Sequence, residues 1–357
     1  MRFTKRAFAL LGCLGIAALF LIGMVRRLHL SSSPVEGAQS IAQTTIWRSL
    51  DRWSNFPTYY WSGSNDLTYV SNGTDNTLHL FRRSSTANAP DKEGVAVHLR
   101  NGRYAGEISP DGKWFVEWSQ NRLRQSIPTF VAVDGTQRRE GAPTWGSGAV
   151  WTQTSDAMVT SVWRTTAAID RYRPDSGELQ KVALPELSKF YEAQHIGSVG
   201  QLIGMEGSAF ILNLGKSMPL PSRNYPTITA ARIDLNHPDS KPEQWKIAVP
   251  EDINNGSCRM SPSGDRILWV AYGETTPPIL RWIRSHIPGM SASSKTGFRW
   301  LVSGVHGENM HEIASYPYQP TRIVGADQNP YSRPRWMPDS RHISFIFHDT
   351  LYTRPVD

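Results

Sequence analysis

Cysteine is nearly absent from this chain: its 357 residues contain two, Cys13 and Cys258. Cys13 lies inside an apolar run, so the rest of the molecule has one thiol and no intramolecular disulfide. That excludes a disulfide-stapled scaffold and leaves the redox compartment open. Catalytic signatures are missing as well. There is no Gly-x-Ser-x-Gly elbow and no Walker or dinucleotide glycine loop. Lys295-Thr296-Gly297 matches one element of serine β-lactamases, but no Ser-x-x-Lys accompanies it. His306 and His311-Glu312 stand five apart around Gly307-Glu308-Asn309. A zinc-peptidase helix needs a spacing of four, so these read as hairpin residues, and neither metal nor cofactor is expected. Asn72-Gly73-Thr74 and Asn255-Gly256-Ser257 fit a glycosylation sequon and are read as turns.

A concentrated basic surface is also lacking. The formal charge is +7, but Arg2, Lys5, Arg6, Arg26 and Arg27 supply five positive charges before the first acid, Glu36. The remainder carries 7 − 5 = +2, which argues against a nucleic-acid partner. Between those basic residues, Ala7 to Val25 runs nineteen residues without a charge. As a helix it would extend roughly 28 Å at ~1.5 Å per residue, enough to cross a hydrocarbon core. A cleaved signal peptide would have a shorter apolar region ending at a small-residue site. Here Arg26-Arg27 ends the run, and the nearest such site, Ala38-Gln39-Ser40, lies well beyond it. Leu10-Leu11-Gly12-Cys13 resembles a lipoprotein box, with too few apolar residues before it. The expectation is an uncleaved anchor within residues 1–27. Three basic residues before the span against two after it favour a cytoplasmic N-terminus and a C-terminal part that is periplasmic or extracellular.

Residues 28–44, small and polar, read as a linker. After them, helical periodicity is scarce. Short alternating or aromatic-rich runs recur between turn residues, as in LTYV (67–70) and TLHLF (77–81) around Ser71-Asn72-Gly73. One unit repeats. Ile108-Ser-Pro-Asp-Gly-Lys-Trp-Phe-Val-Glu-Trp118 aligns with Met260-Ser-Pro-Ser-Gly-Asp-Arg-Ile-Leu-Trp-Val270 and with Trp336-Met-Pro-Asp-Ser-Arg-His-Ile-Ser-Phe-Ile346. Trp61-Ser-Gly-Ser-Asn-Asp-Leu-Thr-Tyr-Val70 is a degenerate copy. In Ser109-Pro110-Asp111-Gly112 the Pro presets a type I turn, the Ser bonds back to the backbone, and Gly suits the fourth place. An Asp that becomes Ser263 in one copy and returns as Asp339 in another behaves as a turn residue rather than a catalyst. Strand–turn–strand segments at 168–182, 299–313 and 348–356 complete a four-stranded unit.

On these repeats the chain resembles the TolB-type, WD-like β-propeller family over residues 45–357. The resemblance implies an all-β fold of six blades, with seven as the alternative count. Blades are expected near 60–97, 104–140, 143–184, 193–249, 254–317 and 333–357. It also implies that the short last blade borrows a strand from the N-terminal side, for which Thr45–Leu50 is the candidate. Trp114, Trp118, Trp269 and Phe345 are expected to pack between blades. Tyr60, Glu107, Arg259 and Arg335 precede the turns and are expected near the axis, as a channel-mouth site for a peptide or small ligand. The functional expectation is a membrane-anchored module outside the cytoplasm that binds an unidentified protein or ligand. The alternative is a hydrolase or lyase whose site is assembled at the channel.

Overall fold

The computed structural model describes residues 35, 37–43, 59–61, 67–72, 77–83, 92–98, 104–145, 147–163, 167–193, 201–213, 227–248, 250, 253–274, 286, 296–317, 334–347 and 350–357. The expected span at residues 7–25 and the candidate closing strand at 45–50 lie outside them. Among the described residues no helix is long and apolar enough to cross a membrane.

Strand β1 (Gln39–Gln43) comes first, and the strands that follow assemble into four-stranded sheets of one pattern. Sheet one holds β2 (Tyr59–Trp61), β3 (Leu67–Asn72), β4 (Thr77–Arg83) and β5 (Lys92–His98), hydrogen-bonded in that order. Sheet two holds β6 (Tyr104–Ile108), β7 (Trp114–Gln120), β8 (Ser126–Ala132) and β9 (Arg138–Glu140). Sheet three holds β10 (Ser147–Trp151), β11 (Met158–Trp163), β12 (Ala167–Tyr172) and β13 (Leu179–Ala183). Sheet four holds β14 (Gln201–Glu206), β15 (Ala209–Asn213), β16 (Thr227–Asp234) and β17 (Glu243–Ala248). Sheet five holds β18 (Ile253–Met260), β19 (Arg266–Glu274), β20 (Thr296–Gly304) and β21 (His311–Pro317). In sheet six, β22 (Arg335–Trp336), β23 (His342–Phe347) and β24 (Thr350–Pro355) are completed by β1 on the far side of β24. The molecule is an all-β propeller.

The closing strand therefore comes from the N-terminal side, as expected, but it lies at 39–43, inside the stretch read as linker. The reason is the place it fills. Fourth strands form the outer edge and are largely solvated: β9 is exposed throughout and most of β13 and β17 is exposed or half-buried. Polar, small Gln-Ser-Ile-Ala-Gln suits such an edge. An outer strand does not require the aromatic and β-branched residues of Thr45–Leu50, the candidate that the resemblance implied.

Middle strands are buried on both faces because neighbouring sheets stack on them. In β7 four successive residues, Phe115 to Trp118, are buried. Val116, Trp118 and Phe130 of sheet two pack against Trp151, Met158 and Tyr172 of sheet three. Val159 and Ile169 meet Met205, Phe210 and Ile233 of sheet four, and a helix at Pro185–Ala193 plugs this seam with Leu187 and Tyr191. Ile211, Ile228 and Ile247 continue against Met260, Ile267 and Trp269 of sheet five. Trp118, Trp269 and Phe345 are buried and Trp114 packs on the seam of sheets two and three, as their sequence context implied. Burying side chains of this size contributes about 1.5–3 kcal/mol each.

Sheet six touches both its neighbours. Trp336 Nε1 donates to Arg259 O at 3.1 Å on sheet five, and Trp61 Nε1 of sheet one donates to Ser344 Oγ at 2.7 Å. The C-terminus is pinned to sheet five as well. Arg266 bonds Asp357 at 2.7 Å, a His311 ring nitrogen lies 2.9 Å from Val356 O, and the Arg354 guanidinium donates to Ile313 O.

Candidate functional site

The first strand of each sheet runs toward the turn that joins it to the second, so the propeller has two chemically different ends. At one end sit the short turns between first and second strands. At the other, the chain crosses from second to third strand and from each sheet to the next. Among the described residues, the hairpin joining β7 to β8, residues 121–125, belongs to this second end.

The turn end is built from one repeated device. In sheet two, Gly112 N donates to Ser109 O at 2.8 Å, closing the turn. The Ser109 hydroxyl donates to Asp111 at 2.6 Å and accepts from Trp114 N at 2.9 Å. Ser109 is fully buried, so both residues shape backbone, as the Ser-Pro-Asp-Gly pattern implied. Sheet five repeats this with Ser261, which accepts from Arg266 N at 3.1 Å and donates to Asp265 at 3.0 Å. Sheet three carries a copy that the sequence conceals, Thr152-Gln-Thr-Ser-Asp156. Here Ser155 N bonds Thr152 O at 3.0 Å, and the Thr152 hydroxyl donates to Asp156 at 2.7 Å. Sheet six lacks the hydroxyl at its first position, and Asp339 instead accepts from both Arg341 N and His342 N, at 2.9 and 3.0 Å.

These turns also bond one another. Asp111 N donates to Ser155 Oγ at 3.0 Å, and Ser263 N donates to Ser340 Oγ at 2.9 Å, linking sheet two to three and five to six by one rule. Sheet four breaks the pattern with a tight Glu206-Gly207-Ser208 hairpin. Gln153 spans the gap, its amide donating to Pro262 O at 2.8 Å and to Met205 O at 3.4 Å. The Asp156 carboxyl is held below its ordinary range by the Thr154 and Thr152 hydroxyls. For Asp265, burial pushes upward but the Ser263 and Ser261 hydroxyls outweigh it. Asp339 follows the same balance, with the Arg341 N–H and the His342 ring prevailing over burial. All three are ionised turn braces at neutral pH.

The four residues expected at the axis all lie on first strands. Tyr60 is in β2, Glu107 in β6, Arg259 in β18 and Arg335 in β22. Each stands two places before its turn, which puts it near the turn end. Sheets six and five are joined by the Trp336–Arg259 bond, and Ser344, which receives the Trp61 bond, pairs with Arg335 in register. Arg259, Arg335 and Tyr60 thus occupy matching places on three successive sheets, and Glu107 takes the next. Arg259 is exposed and Arg335 half-buried. The matching places on sheets three and four are Val150 and Gly204. At this one level of the first strands the polar residues therefore fall on sheets five, six, one and two. At Gly204 an added Cβ would lie 2.4 Å from Met260 Cβ, so sheets four and five approach closely where no side chain intervenes.

Two buried polar groups were not expected from sequence. Asp170 of β12 is 3 % exposed. Burial raises its carboxyl above the ordinary range, although the Thr144 hydroxyl and Lys181 oppose the shift. Tyr172 OH, raised mainly by burial and then by the Asp170 charge, donates to Ala142 O at 2.8 Å. Glu117 of β7 is fully buried and receives Arg138 at 2.6 Å. Both are sealed inside the sheet seams, which suits bracing rather than access to a substrate. The Cys258 thiol is buried and pushed up to about 12 by that burial, so it is not a thiolate nucleophile at neutral pH. His306 lies against Trp245, ring centres 4.8 Å apart, and His311 lies between two backbone carbonyls. Among the described residues no group of three His, Cys, Asp or Glu is placed to hold a metal ion.

No family model matches the chain, and no curated protein does. Similar solved structures include a putative TolB from Agrobacterium tumefaciens, 16% identical, covering 84% of this chain and 89% of that one with a TM-score of 0.45. Hydrazine synthase from Kuenenia stuttgartiensis is 13% identical, covering 88% and 77% with a TM-score of 0.47. TolB from Acinetobacter baumannii is 12% identical, covering 81% and 63% with a TM-score of 0.45. Two of these three structures are TolB proteins, the family whose repeats this sequence resembles.

Proposed function

We propose that this chain is a membrane-tethered binding module: a propeller of six blades that presents one end to a protein or peptide partner outside the cytoplasm. The observation that carries the reading is the contrast between the two ends. The turn end is bonded to itself from sheet to sheet, by Asp111–Ser155, Gln153–Pro262 and Ser263–Ser340. Such a belt supports a rigid ring and contributes no mobile acid, base or nucleophile. At the opposite end second strands cross to third strands, as in the exposed hairpin at residues 121–125, and loops on a fixed scaffold make binding surfaces. The apolar run at 7–25 supplies the anchor, and the residues between it and β1 supply the tether.

Native membranes carrying the full chain provide the test. The chain should stay with the membrane through an alkaline carbonate wash and be released when residues 1–27 are deleted. Amine-reactive crosslinking of those membranes should give a discrete adduct with another protein. Protease added to sealed, right-side-out vesicles should digest the propeller. Release of the intact chain by carbonate would remove the tether, protection from protease would reverse the orientation, and absence of any adduct would remove the binding role.

A further inference from the structure

The hairpin between β7 and β8 displays Arg122-Leu123-Arg124 at the loop end, and its construction is unlike that of a passive turn. All three residues are exposed, and Leu123 retains 67% of its surface, the larger of two exposed large hydrophobics among the described residues. The other is Trp145, 38% exposed. Its neighbour Thr144 exchanges two backbone bonds of 2.8 Å with Ser126, which brings Trp145 alongside the hairpin tip. The tip is held firmly by Asn121. Its side chain accepts from Leu123 N at 2.9 Å and Gln125 N at 3.0 Å, and donates to Gln125 Oε1 at 2.8 Å. Backbone bonds Asn121 N to Gln125 O and Arg124 N to Asn121 O complete it. Arg124 sits at a φ of 61°, a left-handed conformation that Gly or Asn would adopt at lower cost. Fold stability alone does not select an Arg at that φ. A strained, self-braced tip with an apolar knob between two cations is a preorganised contact element.

We propose that this tip and Trp145 form a docking surface for an acidic segment of a partner protein that also carries an apolar side chain. The inference rests on the binding-module reading and locates its contact. Charge complementarity selects the occupant: among the described residues neither Arg122 nor Arg124 has an ion-pair partner, and both flank the knob. A lipid surface is the weaker fit. Attachment to anionic lipid calls for clusters of about four to eight basic residues, and the chain beyond residue 30 is nearly neutral. Leu and Trp would bury the apolar contact while the arginines grip carboxylates bidentately.

The test uses the full chain in native membranes, with a benzophenone amino acid at position 123 or, as reference, at Lys113 on the turn end. Illumination should give a protein adduct from position 123 and none from 113, and the crosslinked partner peptide, mapped by mass spectrometry, should be acidic. Arg122→Glu with Arg124→Glu should lower the adduct yield about tenfold, as loss of a hot spot would, while leaving the urea midpoint unchanged. Vesicles containing anionic phosphatidylglycerol serve as the lipid arm and should bind the purified chain and its Arg122→Glu, Arg124→Glu variant equally, since the basic residues flanking the 7–25 run are common to both. Adducts from 113 but not 123, a partner peptide without acidic residues, an adduct indifferent to the charge reversal, or binding to anionic vesicles that the charge reversal weakens would each overturn the inference and leave the binding-module reading standing. No adduct from either position, with none from amine-reactive crosslinking, removes both.

Discussion

The bonds between neighbouring turns can be separated from the backbone strain they accompany, because Ser155 and Ser340 serve both purposes. Both occupy the fourth turn position in left-handed conformation, with φ of 61° and 57°, where sheets two and five use Gly112 and Gly264. Both hydroxyls accept a backbone N–H from the preceding sheet. Ser155→Ala removes the acceptor and keeps the strained backbone. The loss is one hydrogen bond, about 1 kcal/mol net, with a further fraction if Asp111 N stays unsatisfied. Ser155→Gly loses the same bond but relieves a left-handed L-residue, worth about 1 kcal/mol in the other direction. Alanine should therefore destabilise by about 1–2 kcal/mol and glycine by close to zero. Ser340 should repeat the pattern. The two sites lie in different seams, so the double alanine variant should cost about 2–4 kcal/mol by addition. Urea unfolding of the purified chain, read as midpoint at constant slope, reports these differences. Glycine variants as unstable as alanine variants would show that the strain is not there. Neutral alanine variants would refute the claim that the turns are bonded into a belt.

Three other outcomes follow from particular contacts. Gly204→Ala places a Cβ 2.4 Å from Met260 Cβ, so the first strands of sheets four and five must part, at about 1–3 kcal/mol in the same urea assay. The turn carboxylates and the seam carboxylate should respond to pH with opposite signs. Asp156 is depressed in the folded chain below its ordinary 3.8, so its contribution is complete above that pH and lost as pH falls through the folded value; Asp156→Asn should destabilise at pH 7 and much less at pH 3. Asp170 is raised, so its penalty is absent below 3.8 and grows as pH rises through the folded value; Asp170→Asn should raise the midpoint at pH 7 and leave it unchanged at pH 3. Finally, Arg259→Ala with Arg335→Ala should weaken crosslinking to any partner that enters the axis from the turn end, and an unchanged adduct would retire that arc as a site.

The parts of the fold visible in the sequence are those where backbone geometry demands special residues. Pro110 with Gly112, and Pro262 with Gly264, mark their turns because the turn restricts which residues fit. The Thr152–Asp156 turn has the same hydrogen bonds but uses Gln at the Pro position and Ser at the Gly position. The Pro and Gly that mark the other two turns are therefore missing from it. The Glu206-Gly207 hairpin is hidden for the opposite reason, since it dispenses with the device altogether. The closing strand lies a few residues before the candidate that the resemblance implied, because an edge strand is chosen by what it pairs with rather than by what it buries. For the candidate site, the turn spacing put Tyr60, Glu107, Arg259 and Arg335 on first strands, but which end they approach depends on strand direction. Asp170 and Glu117 were not legible at all, because the surface that buries each belongs to residues distant in sequence.

Strand β1 joins the two halves of this account, since it completes sheet six and is the first element after the tether. Hydrogen exchange on two truncated chains tests that role directly. A chain lacking residues 1–34 should keep the protection of the β24 amides and the thermal midpoint of the full chain in detergent. A chain lacking residues 1–43 should lose protection in β24, whose edge is then bare, and melt several degrees lower. Equal protection and equal melting in the two truncated chains would contradict the closure, and with it the claim that the segment after the tether is what shuts the ring.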